Sequence, residues 1–217
     1  EIANKTDVVL TSVAGNEKAI GYISLGALND TVKAVKVDGA EATVDNVKAG
    51  AYKLSRPFNI ATKGEPTGVA KDFISFILSK EGQAVVTDNK YIAVNDAAES
   101  FVSDGSSGQI AVGGSSSVSP VMEKLIEAYK SVNPNASIDL QTSDSTSGMT
   151  GAMDGTFAIG MASRELKDEE AAQLTGTAIA LDGIAVIVNP ANTIDELSMD
   201  QIKSIYVGDI TDWGDLA

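Results

Sequence analysis

Hydrophobic and polar positions along this chain follow two periods. Short apolar runs, the mark of buried or half-buried strands, are separated by stretches with apolar residues three and four apart, the spacing of an amphipathic helix. Val8, Val9, Leu10 and Val13 predict a helix over 7–13, and the apolar run 19–25 predicts a buried strand. Alternation over 32–37 predicts a half-exposed strand. The extended stretch 52–62 contains Pro57, whose missing N–H confines it to a sheet edge or a crossing segment. Val69, Phe73, Ile74, Ile77 and Leu78 predict a helix over 67–78, followed after a break by a second over 79–87. Ile110, Ala111 and Val112 form a strand, and Val121, Met122, Leu125, Ile126 and Tyr129 predict a helix over 119–131. Strands follow at 137–140 and 157–161, with a turn over 142–148 between them and a charged helix over 167–174 after them. The apolar stretch 178–188 is interrupted at Asp182-Gly183 and predicts two extended pieces. Ser198 with Gln201 three residues on is a capping box, opening a helix that bears Ile202, Ile205 and Tyr206. Alternation of this kind is the pattern of an α/β protein. It predicts one sheet built from 57–62, 110–112, 137–140 and 157–161, flanked by helices 67–78 and 119–131.

Composition narrows the function classes. With 43% hydrophobic and 21% charged residues in 217, the chain is globular rather than disordered, and long enough for one large or two small domains. No run approaches the roughly 18 apolar residues of a membrane span, and no leader pattern of a basic stretch followed by an apolar one opens the chain. There is no cysteine, hence no disulfide, thiolate metal site or lipidated cysteine. There is also no histidine, the commonest general base and metal ligand, which weakens the case for an enzyme. The absence of a Gly-x-x-x-x-Gly-Lys loop weakens it further. No metal and no cofactor are expected. The net charge of −14 argues against nucleic acid or an anionic membrane as partner. It does not exclude a small anion in a sheltered site, because distant charges are screened over about 10 Å.

One segment stands apart. Gly113-Gly114-Ser115-Ser116-Ser117-Val118-Ser119-Pro120 leaves a strand and enters a helix. That geometry turns backbone N–H groups toward an anion, and the hydroxyls of Ser116 and Ser117 add donors. The same serines also suit a helix cap. Asp144-Ser145-Thr146-Ser147-Gly148 is a second small-residue turn, of a kind common in proteins. Arg164 can grip an oxyanion with two parallel bonds or pair with Glu165 or Glu169 on the surface. Asp182 suits either a ligand's proton acceptor or a turn beside Gly183, and Tyr206 and Trp213 suit a core. The stretch 95–109 is polar and small, a loop by composition, with 104–108 expected to be exposed and mobile.

Taken together, several segments resemble the phosphate-binding protein of bacterial phosphate ABC transporters. They are Gly114–Pro120, the run Ile-Gly-Met-Ala-Ser-Arg-Glu-Leu over 159–166, Gly-Ile-Ala-Val-Ile-Val-Asn-Pro over 183–190, and the Ile202–Trp213 segment. Ala-Ile-Gly-Tyr-Ile-Ser-Leu over 19–25, Leu-Ser-Arg-Pro-Phe over 54–58 and Ser-Lys-Glu-Gly-Gln over 79–83 complete the match. The resemblance implies an α/β, two-lobed, periplasmic-binding-protein-like (type II) fold and a receptor without catalysis. Its ligand would be inorganic phosphate, trapped by hinge closure, and its partner the membrane permease. Its place would be the periplasm or the cell surface. Ser116, Ser117, Ser145, Thr146, Ser147, Ser163 and Arg164 fall where the family's first lobe meets phosphate. Ser163 stands where some relatives carry an aspartate that accepts the ligand's proton. Two departures accompany the match. The 110–217 material comes first in the family and the 1–95 material last, so the chain looks circularly permuted, with the old ends joined near 96–109. On that order the first lobe is 56–188 and the second 1–55 with 189–217. The family's Ser-Gly-Thr-Arg-type segment of the second lobe is not found, which implies an incomplete second lobe and phosphate binding that is weak, or lost in a mere scaffold.

Overall fold

The computed structural model describes Ala3 and residues 5–216. In chain order the helices are α1 (Thr6–Ala14), α2 (Val44–Lys48), α3 (Gly68–Leu78), α4 (Lys80–Asp88), α5 (Ser119–Val132), α6 (Ser145–Asp154), α7 (Asp168–Ala171) and α8 (Met199–Val207). The strands are β1 (Ile20–Ser24), β2 (Lys33–Ala34), β3 (Lys36–Val37), β4 (Ser55–Thr62), β5 (Gly108–Ser115), β6 (Ala136–Ser143), β7 (Ile159–Ala162), β8 (Thr175–Val188) and β9 (Glu196–Leu197). The fold divides into two compact units. One takes Thr6–Ser55 and the chain from Gly183 onward; the other takes Arg56–Asp182.

In the Arg56–Asp182 unit, β8, β4, β7, β5 and β6 are neighbours in that order. Parallel β5 and β6 pair along eight residues, from Gly108 opposite Ala136 to Ser115 opposite Ser143. Parallel β7 lies on the other side of β5, with Gly114 opposite Met161. β4 runs antiparallel to β7, Asn59 opposite Ala162. The predicted sheet of four segments is therefore present. Its main core gathers Phe58, Ile60, Phe73, Phe76, Val112, Val118, Val121, Met122, Leu125 and Tyr129, so α3 and α5 bury their apolar stripes against it. A smaller cluster of Ala61, Met149, Ala152, Ala162 and Leu174 seats α6.

In the other unit, β1 pairs antiparallel with the 184–188 end of β8, Ile23 opposite Ala185. Val13 of α1 packs there with Ile23, Leu25, Val32, Ala185 and Ile187.

Several expectations change. The 32–37 strand is two short ones, β2 on β8 and β3 on β9, because the buried residues Val32, Val35 and Val37 serve two separate pairings. The strand at 110–112 continues through Gly113, Gly114 and Ser115, and the one at 137–140 through Ser143, since the eight-residue ladder keeps both extended. The stretch 142–148 is then no turn but the end of β6 and the start of α6. Finally, β8 runs unbroken through Asp182 and Gly183. Asp182 is fully buried and paired with Arg56, which lets a charged residue stay inside a strand. The stretch holding Pro57 is not the expected edge or crossing segment: β4 is an interior strand between β8 and β7, and Pro57 precedes its residues that pair with β7, so its missing N–H costs that ladder nothing. Tyr206 is half-exposed, set edge-on to Tyr22 at 5.6 Å, rather than core. The indole of Trp213 donates to Lys18 O at 3.0 Å.

Candidate functional site

The order β7–β5–β6 carries a topological consequence. From β5 the chain passes through α5 to β6 on one side, then through α6 to β7 on the other. The point where connections diverge in a parallel sheet opens a crevice at the carboxyl ends of the strands, the usual ligand position in open α/β sheets. Those ends are Ser115, Ser143 and Ala162, and the segments beyond them hold 116–118, 144–147 and 163–164. The seven residues that the family resemblance assigned to the site fall in these three segments, and Asp182, in β8, does not.

Ser116 and Ser117 are half-buried in the β5–α5 turn. The N–H of Ser116 donates to Ser143 O at 3.0 Å, tying the turn to the end of β6. The Ser117 N–H turns back to the hydroxyl of Ser115 at 3.3 Å, and Val118 N–H donates to Ser115 O at 3.0 Å. Beneath them Ser119 Oγ donates to Ser115 O, and Thr142 Oγ1 to Ser119 Oγ. Helix α5 has no side-chain cap: Val118 occupies that position, and Pro120 sits in the first turn. The capping role open to these serines is thus not taken at α5. The N–H groups of Ser119 and Val121, in its first turn, have no acceptor within the helix.

Helix α6 is capped by Asp144, which the sequence reading did not single out. Asp144 accepts from the Ser147 N–H at 3.0 Å and from the Ser147 hydroxyl at 2.7 Å. These two bonds hold its carboxyl below the usual aspartate range despite some burial. Ser147 is therefore turned to the cap and Thr146 is exposed, whereas Ser145 is half-buried. The hydroxyl of Ser145 accepts the Ser163 N–H at 3.1 Å and lies 3.5 Å from the Ser163 hydroxyl. The structure thus brings Ser145 and Ser163, eighteen residues apart, into direct contact.

Close approach of α6 makes this possible. Gly148 packs on β5 and β7 with no room for a side chain: an added Cβ would stand 2.7 Å from both Gly114 Cα and Met161 O. Gly114 itself has φ +136° and a mirror-image contact with Gly148, a conformation open to glycine.

Arg164 lies beside these groups with its guanidinium already engaged. It forms a two-pronged ion pair with Glu170, at 2.7 and 2.8 Å, and neither Glu165 nor Glu169 takes that role. Glu170 is buried, accepts the Lys167 N–H at 2.8 Å as well, and is held below the usual carboxylate range chiefly by Arg164. One arm of Arg164 also reaches Thr146 Oγ1 at 3.4 Å. Asn59 of β4 donates to Arg164 O at 3.0 Å and fixes the turn from the far side. The spacing of Lys167 and Glu170, a helix-start pattern, was the available signal for Glu170. Nothing in the sequence linked it to Arg164.

The arrangement gathers neutral donors, hydroxyls and helix-start N–H groups, at one edge of a sheet, with the charge of its nearest arginine balanced. It suits a small oxyanion. Among the described residues, no group of acidic side chains is placed to hold a metal ion.

A family model described as a PBP superfamily domain matches residues 2–81 and 100–217. The chain is 51% identical over 218 residues to a protein of Streptococcus agalactiae named phosphate-binding protein PstS 2, covering 100% of this chain and 74% of that one. A Streptococcus pneumoniae protein of the same name is 49% identical over 212 residues, covering 98% and 73%. Among solved structures, the phosphate-binding protein of a Streptococcus pneumoniae phosphate ABC transporter aligns with a TM-score of 0.79 and 47% identity, over 100% of this chain and 84% of that one.

Proposed function

Because the chain belongs to the PBP superfamily and, within it, to the PstS phosphate-binding proteins, we propose that it binds inorganic phosphate and serves an ABC transporter as its solute receptor. The fold is the α/β, PBP-like type II fold of that family. The observation that carries the ligand assignment is the junction of the Ser145 hydroxyl with Ser163, at the carboxyl edge where α5 and α6 both begin. Phosphate there would accept from the hydroxyls of Ser116, Ser117, Ser145 and Ser163 and from N–H groups of the two helix starts. Thr146 and Ser147 border the site from α6, and Arg164 from the β7–α7 turn, lending positive potential while its prongs stay on Glu170. All seven residues lie inside Arg56–Asp182 and inside the lobe assigned from sequence to 56–188.

The function is capture without chemistry: the site holds donors for an oxyanion. Delivery to a membrane permease places the protein outside the cytoplasmic membrane. Among the described residues no helix is long and apolar enough to cross one. The segment order follows the streptococcal relatives, which match this chain from end to end in one alignment. We read that order as a rearrangement the branch shares, not an event in this chain alone.

Calorimetric titration of phosphate and of sulfate at neutral pH tests the assignment. Phosphate is expected to bind, and Ser116→Ala and Ser145→Ala each to weaken it by about tenfold, the loss of one hydrogen bond to a charged acceptor. Sulfate binding equal to phosphate binding, or no heat at millimolar phosphate, would contradict it.

A further inference from the structure

The site as described has no free cationic fork, because Glu170 closes both prongs of Arg164. A second arginine stands at the same edge. β4 runs antiparallel to β7, with Asn59 opposite Ala162. Arg56, three residues before Asn59, therefore lies beyond the carboxyl end of β7, level with the segments that hold Ser163 and Arg164. Its guanidinium sits 5.7 Å over the Phe58 ring. Phe58 belongs to the same apolar cluster as Val118, Val121 and Met122 from the start of α5. Arg56 is thus on the α5 face of the sheet, at the end where α5 begins.

Its bonding differs from that of Arg164. Arg56 uses only Nε, donating to Asp182 Oδ2 at 3.2 Å. Both terminal amino groups are left without a hydrogen-bond partner among the described residues, although the side chain is only 18% exposed. Asp182, wholly buried, engages Nε alone and leaves both terminal amino groups unoccupied. An arginine fixed through Nε, with its terminal nitrogens open, has the arrangement that receives a planar pair of oxygens from an oxyanion.

We propose that Arg56 supplies the charge-assisted contact to the bound oxyanion, with Asp182 as its positioning residue. The proposal rests on the phosphate reading given above. It divides the labour between two arginines: Arg164 braces the β7–α7 turn through Glu170, and Arg56 meets the ligand. Net attraction comes from a guanidinium whose partner engages Nε alone, while the terminal N–H groups confer directionality.

The test measures phosphate affinity and thermal stability in the parent, Arg56→Gln, Arg56→Lys, the double variant Arg56→Gln/Asp182→Asn, and Ser145→Ala. Arg56→Gln is expected to weaken phosphate binding about tenfold or more. Arg56→Lys, with a point charge in place of the fork, is expected to fall between it and the parent. Arg56→Gln also removes the cationic partner of a buried carboxylate, so it should melt earlier than the parent. The double variant removes that charge and should recover melting temperature but not affinity. It should also show a shallower loss of affinity with added salt than the parent does. Recovery of affinity together with stability in the double variant would overturn the proposal, since Arg56 would then act only through the fold. Normal affinity in Arg56→Gln with weakened Ser145→Ala would overturn it and leave the phosphate reading standing. Loss in neither, or no binding by the parent, would overturn both.

Discussion

At the scale of single residues, the carboxylates Asp72, Asp144, Glu170 and Asp182, buried or half-buried, organise the Arg56–Asp182 unit, and each has a hydrogen-bond partner. Asp72 is 3% exposed. It accepts from Tyr129 at 2.7 Å, Ser103 at 2.8 Å, the Asp104 N–H at 2.9 Å and Asn133 at 3.1 Å. Burial alone would raise its pKa; the four donors outweigh that and hold it below the ordinary aspartate value of 3.8. A folded-state pKa below the unfolded one stabilises the protein above the unfolded value, and the gain is lost as pH falls through the folded one. Asp144 and Glu170 shift in the same direction. Thermal stability should thus fall as pH drops below about 4. Asp72→Asn should lower stability at neutral pH by about 1–3 kcal/mol and flatten that acid limb, as melting curves from pH 7 to 3 would reveal. An acid limb as steep in Asp72→Asn as in the parent would remove Asp72 from the account. Glu170→Ala, leaving Arg164 without its partner, should cost about 2–3 kcal/mol in denaturant unfolding. Ser116 and Ser117 were legible as a candidate anion turn because a strand, a small-residue turn and a helix start are local patterns, whereas Ser145 and Ser163 were named as site residues only through the family resemblance. The bonding of the carboxylates was not legible. Asp72 reads as an ordinary polar position in helix α3, and its four partners come from 57, 31, 32 and 61 residues away.

Among the elements, periodicity found α3 and α5, which bury an apolar stripe, and missed α6, which does not, and the short α2. α3 and α5 place Phe73, Ile77, Val121 and Leu125 in the core, and their spacing showed it. The buried positions of α6 include Gly148, Gly151 and Ala152, so its sequence shows small residues without a stripe and reads as a turn. Its contact is backbone on backbone. Gly148→Ala should therefore destabilise the protein by about 1–3 kcal/mol through overpacking. It should also weaken phosphate binding, because α6 must retreat and carry Ser145 away from Ser163. Gly155→Ala, where an added Cβ meets nothing within 4 Å but φ is +85°, serves as comparison: it should cost stability through backbone strain and spare binding. Equal phosphate affinity in Gly148→Ala and the parent would show that the approach of α6 does not matter. The continuity of β8 was illegible for a related reason. Asp182-Gly183 is a turn signal by itself, and the ion pair of Asp182 with Arg56, 126 residues away, leaves no trace in it.

For the whole molecule, the fold class and the family were open to the sequence because the matching segments span nearly its entire length. The polar stretch over 104–108 shows what composition leaves out. Asp104, Gly105, Ser107 and Gly108 are exposed, yet the neighbouring backbone is pinned to Asp72, and Asn133 holds Ser106 O at 2.8 Å. Limited proteolysis should thus cut 104–108 in Asp72→Asn at protease doses the parent survives, and equal cutting in both would dismiss the pin. The central claim is that phosphate binds at the carboxyl edge of β5, β6 and β7. Amide NMR of the 15N-labelled chain, titrated with phosphate at constant pH and ionic strength, tests it most directly. The account predicts saturable shifts concentrated at Ser117, Ser119, Val121, Ser145, Thr146 and Ser163. Shifts absent at millimolar phosphate, or gathered on residues away from that edge, would contradict it.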